Sequence, residues 1–173
     1  PSKQDPELEI PLRMGYSSKT FLFLCLVGLT LAHVSLAESS DVQDFLDAHN
    51  AARAEVGVGP ISWNKTLEAY AQNYANQRRD CVLEHSNGPY SENICSGWSG
   101  FTALEAVKMF VDEKQFYDYK SNKCVKDECR HYTQVIWKDT TSLGCAKVRC
   151  HSGGIFVTCN YSPPGNNDGE RPY

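Results

Sequence analysis

Four ionisable side chains stand out. His85 and Glu92 lie in HSNGPYSEN, Glu113 ends an apolar helical pattern, and His131 opens HYTQVIW. Two imidazoles and two carboxylates can hold a divalent ion or work as acid and base. Their gaps are long, and the close His-Glu-x-x-His spacing of a zinc protease is missing. A structural polar network is the competing use of the same four residues. No Gly-x-Ser-x-Gly elbow and no glycine-rich phosphate loop accompanies them, so no residue is assigned a catalytic role. Cys95 is near enough in sequence to His85 and Glu92 to form a Cys–His pair, but a spare thiol is the commoner reading. His49 falls on the apolar stripe of a helix and reads as a core histidine. His151 falls in a turn and reads as solvated.

The elements that must carry these groups are legible from periodicity. Val42, Phe45, Leu46, His49, Ala52 and Val56 predict a first helix over 41–56, ended by Gly57. Pro60 to Trp63 reads as a linker, and Asn64 as the cap of a second helix with the stripe Leu67, Tyr70, Ala71, Tyr74 and Ala75. A third helix spans 102–113, its apolar residues Leu104, Val107, Met109, Phe110 and Val111. A short fourth helix covers 131–137. Residues 143–149 and 155–161 flank His151-Ser152-Gly153-Gly154 as a hairpin, and a further strand lies near Ile94. Early helices and a late hairpin give an α+β fold, helices packed on an antiparallel sheet.

Compartment decides what the thiols do. Met14 opens a short basic stretch, Phe21 to Ala32 is almost wholly apolar, and Ser35-Leu36-Ala37 has the small residues of a cleavage site. This is the layout of a signal peptide over 14–37. The apolar run is well short of the roughly 20 residues of a membrane span. Residues 1–13 precede Met14 and are set aside as upstream, non-native sequence. The mature chain, 38–173, suits one domain and carries no integral membrane segment. The whole chain has a net charge of −4, and 1–37 holds as many basic as acidic residues. With no basic patch, nucleic acid is excluded as a partner.

Cys25 leaves with the leader, and seven cysteines remain. Export makes disulfides the default. If Cys150 faces Gly154 across the hairpin, Cys145 faces Cys159 on one side of the pleat. Cys124 and Cys129 can close a small loop, and Cys81 is a distant partner for Cys150, with Cys95 left over. Six cysteines still allow 15 pairings, so spacing leaves the connectivity open.

Three further features are candidates. Phe116, Tyr117 and Tyr119 either line an apolar groove for a lipid or simply pack a closed loop. Asn64-Lys65-Thr66 is an acceptor for N-glycan, whereas Asn160-Tyr161-Ser162 lies in a strand before Pro163 and is not expected to be used. The tail over 163–173, PPGNNDGERPY, is expected to be exposed and mobile unless tied down.

DFLDAHNAAR, GVGPISWN, AQNYAN, CRHYTQVIW, LGCAKVRC and CNYSPPGN together resemble the class-one plant pathogenesis-related proteins of the cysteine-rich secretory, antigen 5 and pathogenesis-related (CAP) superfamily. The resemblance covers nearly all of 41–173. It implies a three-layer α-β-α sandwich with three disulfides, Cys81–Cys150, Cys124–Cys129 and Cys145–Cys159. It also implies a central cavity lined by His85, Glu92, Glu113 and His131, where no cofactor is required but a divalent metal such as zinc can bind. Cys95 departs from the six-cysteine pattern, which puts a thiol-linked dimer beside the expected monomer. The implied function is that of a non-enzymatic antimicrobial defence protein secreted to the apoplast. Sterols or lipids of pathogen membranes would bind at the loop containing Phe116, Tyr117 and Tyr119. A cut between Ser162 and Pro163 would release the tail as a defence peptide. The alternative from another class is a metal-dependent hydrolase built on the His/Glu set.

Overall fold

The computed structural model describes residues 41–173; the leader with its cleavage site, the segment 1–13 and Cys25 lie outside the described residues. Helix α1 (41–55) buries Phe45, His49, Ala52 and Arg53 along one face, as its spacing requires. Strand β1 (Ser62–Trp63) leads into α2 (Lys65–Gln77), capped by Asn64, whose side-chain oxygen accepts from the amides of Thr66 and Leu67 at 2.8 and 3.3 Å. Strand β2 (Ser91–Gly97) precedes α3 (Ala103–Asp112), which starts with a Thr102–Glu105 capping box. A 3-10 turn (Glu113–Phe116) runs into the small ribbon β3 (Tyr117–Asp118) and β4 (Lys123–Cys124). Helix α4 (Arg130–Val135) and the hairpin β5 (Ser142–Arg149) and β6 (Ile155–Ser162) follow.

The main sheet has the order β1-β5-β6-β2. Alternation along its central strands makes three layers. Leu143, Cys145, Val157, Cys159 and Tyr161 point to one side and pack with Phe45 of α1, Phe110 of α3, Val135 of α4 and Ile136 just after it. Ala146, Val148 and Phe156 point to the other side and pack with Ala71 and Ala75 of α2. Gly144 lets α2 approach closely: an added Cβ would lie 2.1 Å from the backbone nitrogen of Glu68.

The sheet is antiparallel except at one edge. The predicted linker Pro60 to Trp63 ends in β1, which pairs with β5 in parallel, Ser62 opposite Ser142. Two residues are too few to show a period, and the pairing joins segments 80 apart in sequence. In α3 the buried stripe is Ala103, Ala106, Val107 and Phe110, while Leu104 and Met109 are exposed. Those two fall off the three-and-four spacing that faces the core.

Cys145 and Cys159 are register partners, and all three disulfides join the pairs that the family resemblance implied. Among the described residues Cys95 has no disulfide partner. It sits in β2, 5% exposed, and burial pushes its thiol up to about 12. A dimer linked through it would require β2 to leave the core first.

Candidate functional site: a two-histidine cleft

The four residues form two pairs. Glu92 projects from β2 with its side chain 5% exposed, and its Oε1 accepts from His85 Nδ1 at 2.8 Å and from the Ser86 amide at 2.9 Å. The loop holding His85 is braced by Tyr70, whose hydroxyl donates to Ser86 at 3.0 Å. That bracing requires Gly88, because a Cβ there would fall 1.8 Å from the Tyr70 oxygen.

On the opposite side, Glu113 leaves the end of α3 and meets the start of α4. Its Oε1 accepts from His131 Nδ1 at 2.6 Å, and its Oε2 accepts from the amides of His131 and Tyr132 at 3.0 and 3.3 Å. Glu113 thus caps α4, a task for which the disulfide-bonded Cys129 at the cap position offers no side-chain hydrogen bond. The His131 ring stacks on Phe110 with centroids 5.4 Å apart.

A carboxylate only accepts, so in each pair the imidazole Nδ1 carries the proton. The neutral ring then keeps its lone pair on Nε2, the arrangement in which an outer carboxylate orients a metal-binding histidine.

His85, Glu92 and His131 line one cleft of about 440 Å³, with Asn93, Glu128, Arg130, Gln134 and Asn166 among its other walls. Glu113 is not among its lining residues and acts through His131. Two buried acceptors in this cleft, Glu92 Oε2 and Gln134 Oε1, have no hydrogen-bond partner among the described residues. No three His, Cys, Asp or Glu side chains among them are gathered into a ready-made metal cage. Both serine hydroxyls on the walls are engaged elsewhere, Ser86 with Tyr70 and Ser91 with the Gly165 amide at 3.0 Å. Gln134 and Asn93 were legible in principle. The first lies one helical turn after His131 and the second adjoins Glu92. Gly165 and Asn166 come from the tail, and no local pattern announces them.

The aromatic loop lies apart from the lining of this cleft. It is shaped by the β3–β4 ladder and the Cys124–Cys129 bridge. Phe116 and Tyr117 are half-buried, with Tyr117 leaning on Tyr132 at 6.3 Å between ring centroids. Tyr119 is exposed, and Tyr173 stacks on it at 4.8 Å. A second cleft of about 200 Å³ separates this loop from the tail. The tail is tied down along its length, so its composition misleads where it suggests mobility. Asn64 is partly exposed, while Asn160 is fully buried and closed to a glycan.

Residues 46–161 match the family model for the cysteine-rich secretory protein family. The chain belongs to that family. It is 54% identical over 156 residues to the basic form of pathogenesis-related protein 1 of Nicotiana tabacum, covering 89% of this chain and 88% of that one. With pathogenesis-related protein 1 of Arabidopsis thaliana it shares 45% over 160 residues, 92% of this chain and 98% of the other. These relatives are named as pathogenesis-related proteins, and the chain falls with them in the CAP family. Among solved structures, a venom allergen-like protein of Schistosoma mansoni superposes with a TM-score of 0.64 at 25% identity, over 77% of this chain and 93% of that one. The structure of NaASP2 with Zn2+ gives 0.60 at 26%, over 77% and 84%.

Proposed function

We propose that this is a plant defence protein, exported through its leader to the extracellular space, that acts against pathogens by binding sterol or lipid and not by catalysis. The observation that carries the reading is the aromatic loop, held by a disulfide and a ladder, whose Tyr117 lines the cleft beside the tail and whose Tyr119 is 44% exposed. Burial of apolar area there, at about 25 cal/mol per Å², supplies the affinity. The cleft between loop and tail is below the roughly 300–1,000 Å³ of small-molecule pockets, so a sterol nucleus enters it only when the tail lifts. Titration of the mature protein with a labelled sterol tests this. Changing Phe116 and Tyr117 to Ser, which keeps the Tyr119 ring that holds the tail, should weaken binding, and unchanged affinity would count against the loop.

A divalent metal such as zinc fits the two-histidine cleft. His85 and His131 would hold it through Nε2, with the unpaired Glu92 oxygen in the same cleft. Bound there, it would supply a Lewis-acid anchor for an anionic or carbonyl group. Isothermal titration with zinc, repeated on His85→Ala and His131→Ala, should show binding lost in both. The unpaired Glu92 oxygen also favours a second reading, metal-dependent hydrolysis. Cleavage of a model ester or peptide that disappears in both histidine variants would establish it.

In the first reading the mature chain is a monomer, Asn64 is free to carry a glycan, and a cut at Ser162–Pro163 makes the tail a separate defence peptide. Mass spectrometry of extracellular fluid from infected tissue should find a fragment beginning at Pro163.

A further inference from the structure

Residues 163–173 make the contacts of a docked peptide. At the near end, Thr140 donates to the Pro163 carbonyl at 2.8 Å, and the Gly165 amide donates to Ser91 at 3.0 Å. Gly165 fits so closely that an added Cβ would lie 2.6 Å from the Trp137 ring and 2.8 Å from Gln134. In the middle, Thr133 donates to the side-chain oxygen of Asn166 at 2.6 Å, and the Asn166 amide group donates to the Arg130 carbonyl at 2.9 Å. Asn122 then donates to the Glu170 carbonyl at 2.8 Å.

The far end is held most closely. Arg171 donates to the carbonyls of Tyr119 and Lys120, and its guanidinium lies 4.8 Å over the Tyr119 ring. Pro172 is buried, and its carbonyl accepts from the Lys138 amide at 2.7 Å. Tyr173 stacks on Tyr119 and packs against the core. These partners come from four separate places: β2, the aromatic loop, α4 and the segment after it.

We propose that the fold contains a peptide-recognition groove whose occupant is the chain's own C-terminal eleven residues, read chiefly through the final Arg-Pro-Tyr. The covalent bond at Ser162–Pro163 adds effective concentration to this binding and none of its contacts. Severing the chain there therefore leaves the peptide bound, and release is a separate dissociation step. The vacated groove takes up free peptide of the same sequence. This rests on the docking contacts alone. It does not depend on sterol binding, on metal, or on any protease acting at this bond in the plant.

The test uses the oxidised mature chain with a site-specific protease sequence inserted between Ser162 and Pro163, cut after folding. Denaturing mass spectrometry confirms the cut, and native mass spectrometry with serial dilution reads retention. The peptide should remain with the domain, and a labelled synthetic peptide of residues 163–173 should exchange into it. Arg171→Ala and Tyr173→Ala should each weaken retention about ten-fold, since a cation–π contact or an aromatic stack with its hydrogen bonds is worth on the order of 1–2 kcal/mol. Loss of the peptide on cutting, from a domain whose disulfides and circular dichroism are intact, would overturn the proposal. So would retention in both variants equal to that of the parent. Should the insertion itself strip the tail before cutting, hydrogen exchange of the unaltered chain decides. The Lys138 amide should be protected in the parent and exposed in Arg171→Ala, and an unprotected parent amide would equally overturn the groove.

Discussion

Two histidine environments in this fold are joined by a short chain of hydrogen bonds, and they are built in opposite ways. His49 is fully buried on α1, with both ring nitrogens engaged. Its Nδ1 donates to the Phe45 carbonyl at 2.7 Å, and its Nε2 accepts from the Tyr161 hydroxyl at 2.9 Å. Tyr161 accepts in turn from Asn93, which also donates to the His131 carbonyl at 3.0 Å. Burial, assisted by the nearby Arg53 charge, lowers His49 to about 4. Among the described residues the cleft histidines have only Nδ1 engaged, each by a carboxylate, and no hydrogen bond at Nε2. The first arrangement spends every valence on the fold, and the second leaves one for a ligand. The Asn93 link means that the satisfied histidine helps to place the unsatisfied one.

The largest effect should come from the buried side. Arg53 is 1% exposed and donates to the carbonyls of Gly59, Val135, Trp137 and Thr140. It thereby ties α1 to the end of α4. Arg53→Ala leaves these acceptors buried and should cost about 4 kcal/mol, read from urea unfolding.

His49 should make stability depend on pH. The folded ring stays neutral down to about pH 4, whereas the unfolded ring takes a proton near its ordinary value of 6.5. The unfolded state thus binds the extra proton between these values. Stability should be intact above pH 6.5 and fall as pH drops towards 4, by roughly 3 kcal/mol from this residue. His49→Gln should flatten that part of the urea-midpoint profile, and an unchanged profile would remove His49 as its source.

The cleft should respond in the reverse sense. His85→Ala should shift stability by less than about 1 kcal/mol, because the ring is half in solvent, yet abolish zinc uptake in calorimetry. Glu113→Gln should weaken zinc binding by roughly 10–100-fold through disorientation of His131, with a smaller loss of stability from the α4 cap. A Glu113→Gln protein that binds zinc like its parent would show that His131 needs no orienting partner. The smallest effect belongs to Cys95→Ala. Buried and without a disulfide partner among the described residues, Cys95 can be changed with the intact mass staying monomeric under non-reducing conditions and the unfolding midpoint falling by no more than about 1–2 °C.

The helices and hairpin were legible because their patterns are local. The stripe of α2, the Asn64 cap and the Cys145–Cys159 register follow from spacing of 2, 3 or 4 residues. The site was legible only as a set of residue types. Its pairing depends on β2 facing α4 and on α3 ending beside the start of α4, relations no window of sequence contains. Arg53 gave no signal because a charged residue on a helix reads as surface. The tail gave a misleading one: Pro, Gly and Asn mark backbone freedom, but its partners Ser91, Tyr119 and Lys138 are supplied from 34 to 74 residues away.

The bridges are distributed so that each jaw of the cleft has its own rivet. Cys81–Cys150 pins the segment leading to His85 against the hairpin, and Cys124–Cys129 closes the loop that delivers His131. A mild reductant that opened one bridge before the other would leave a gripping surface with one fixed side and one slack side. Grip would then fade in two stages as the surroundings turned reducing, while the sheet between, cross-linked by Cys145–Cys159 within its own ladder, stayed upright.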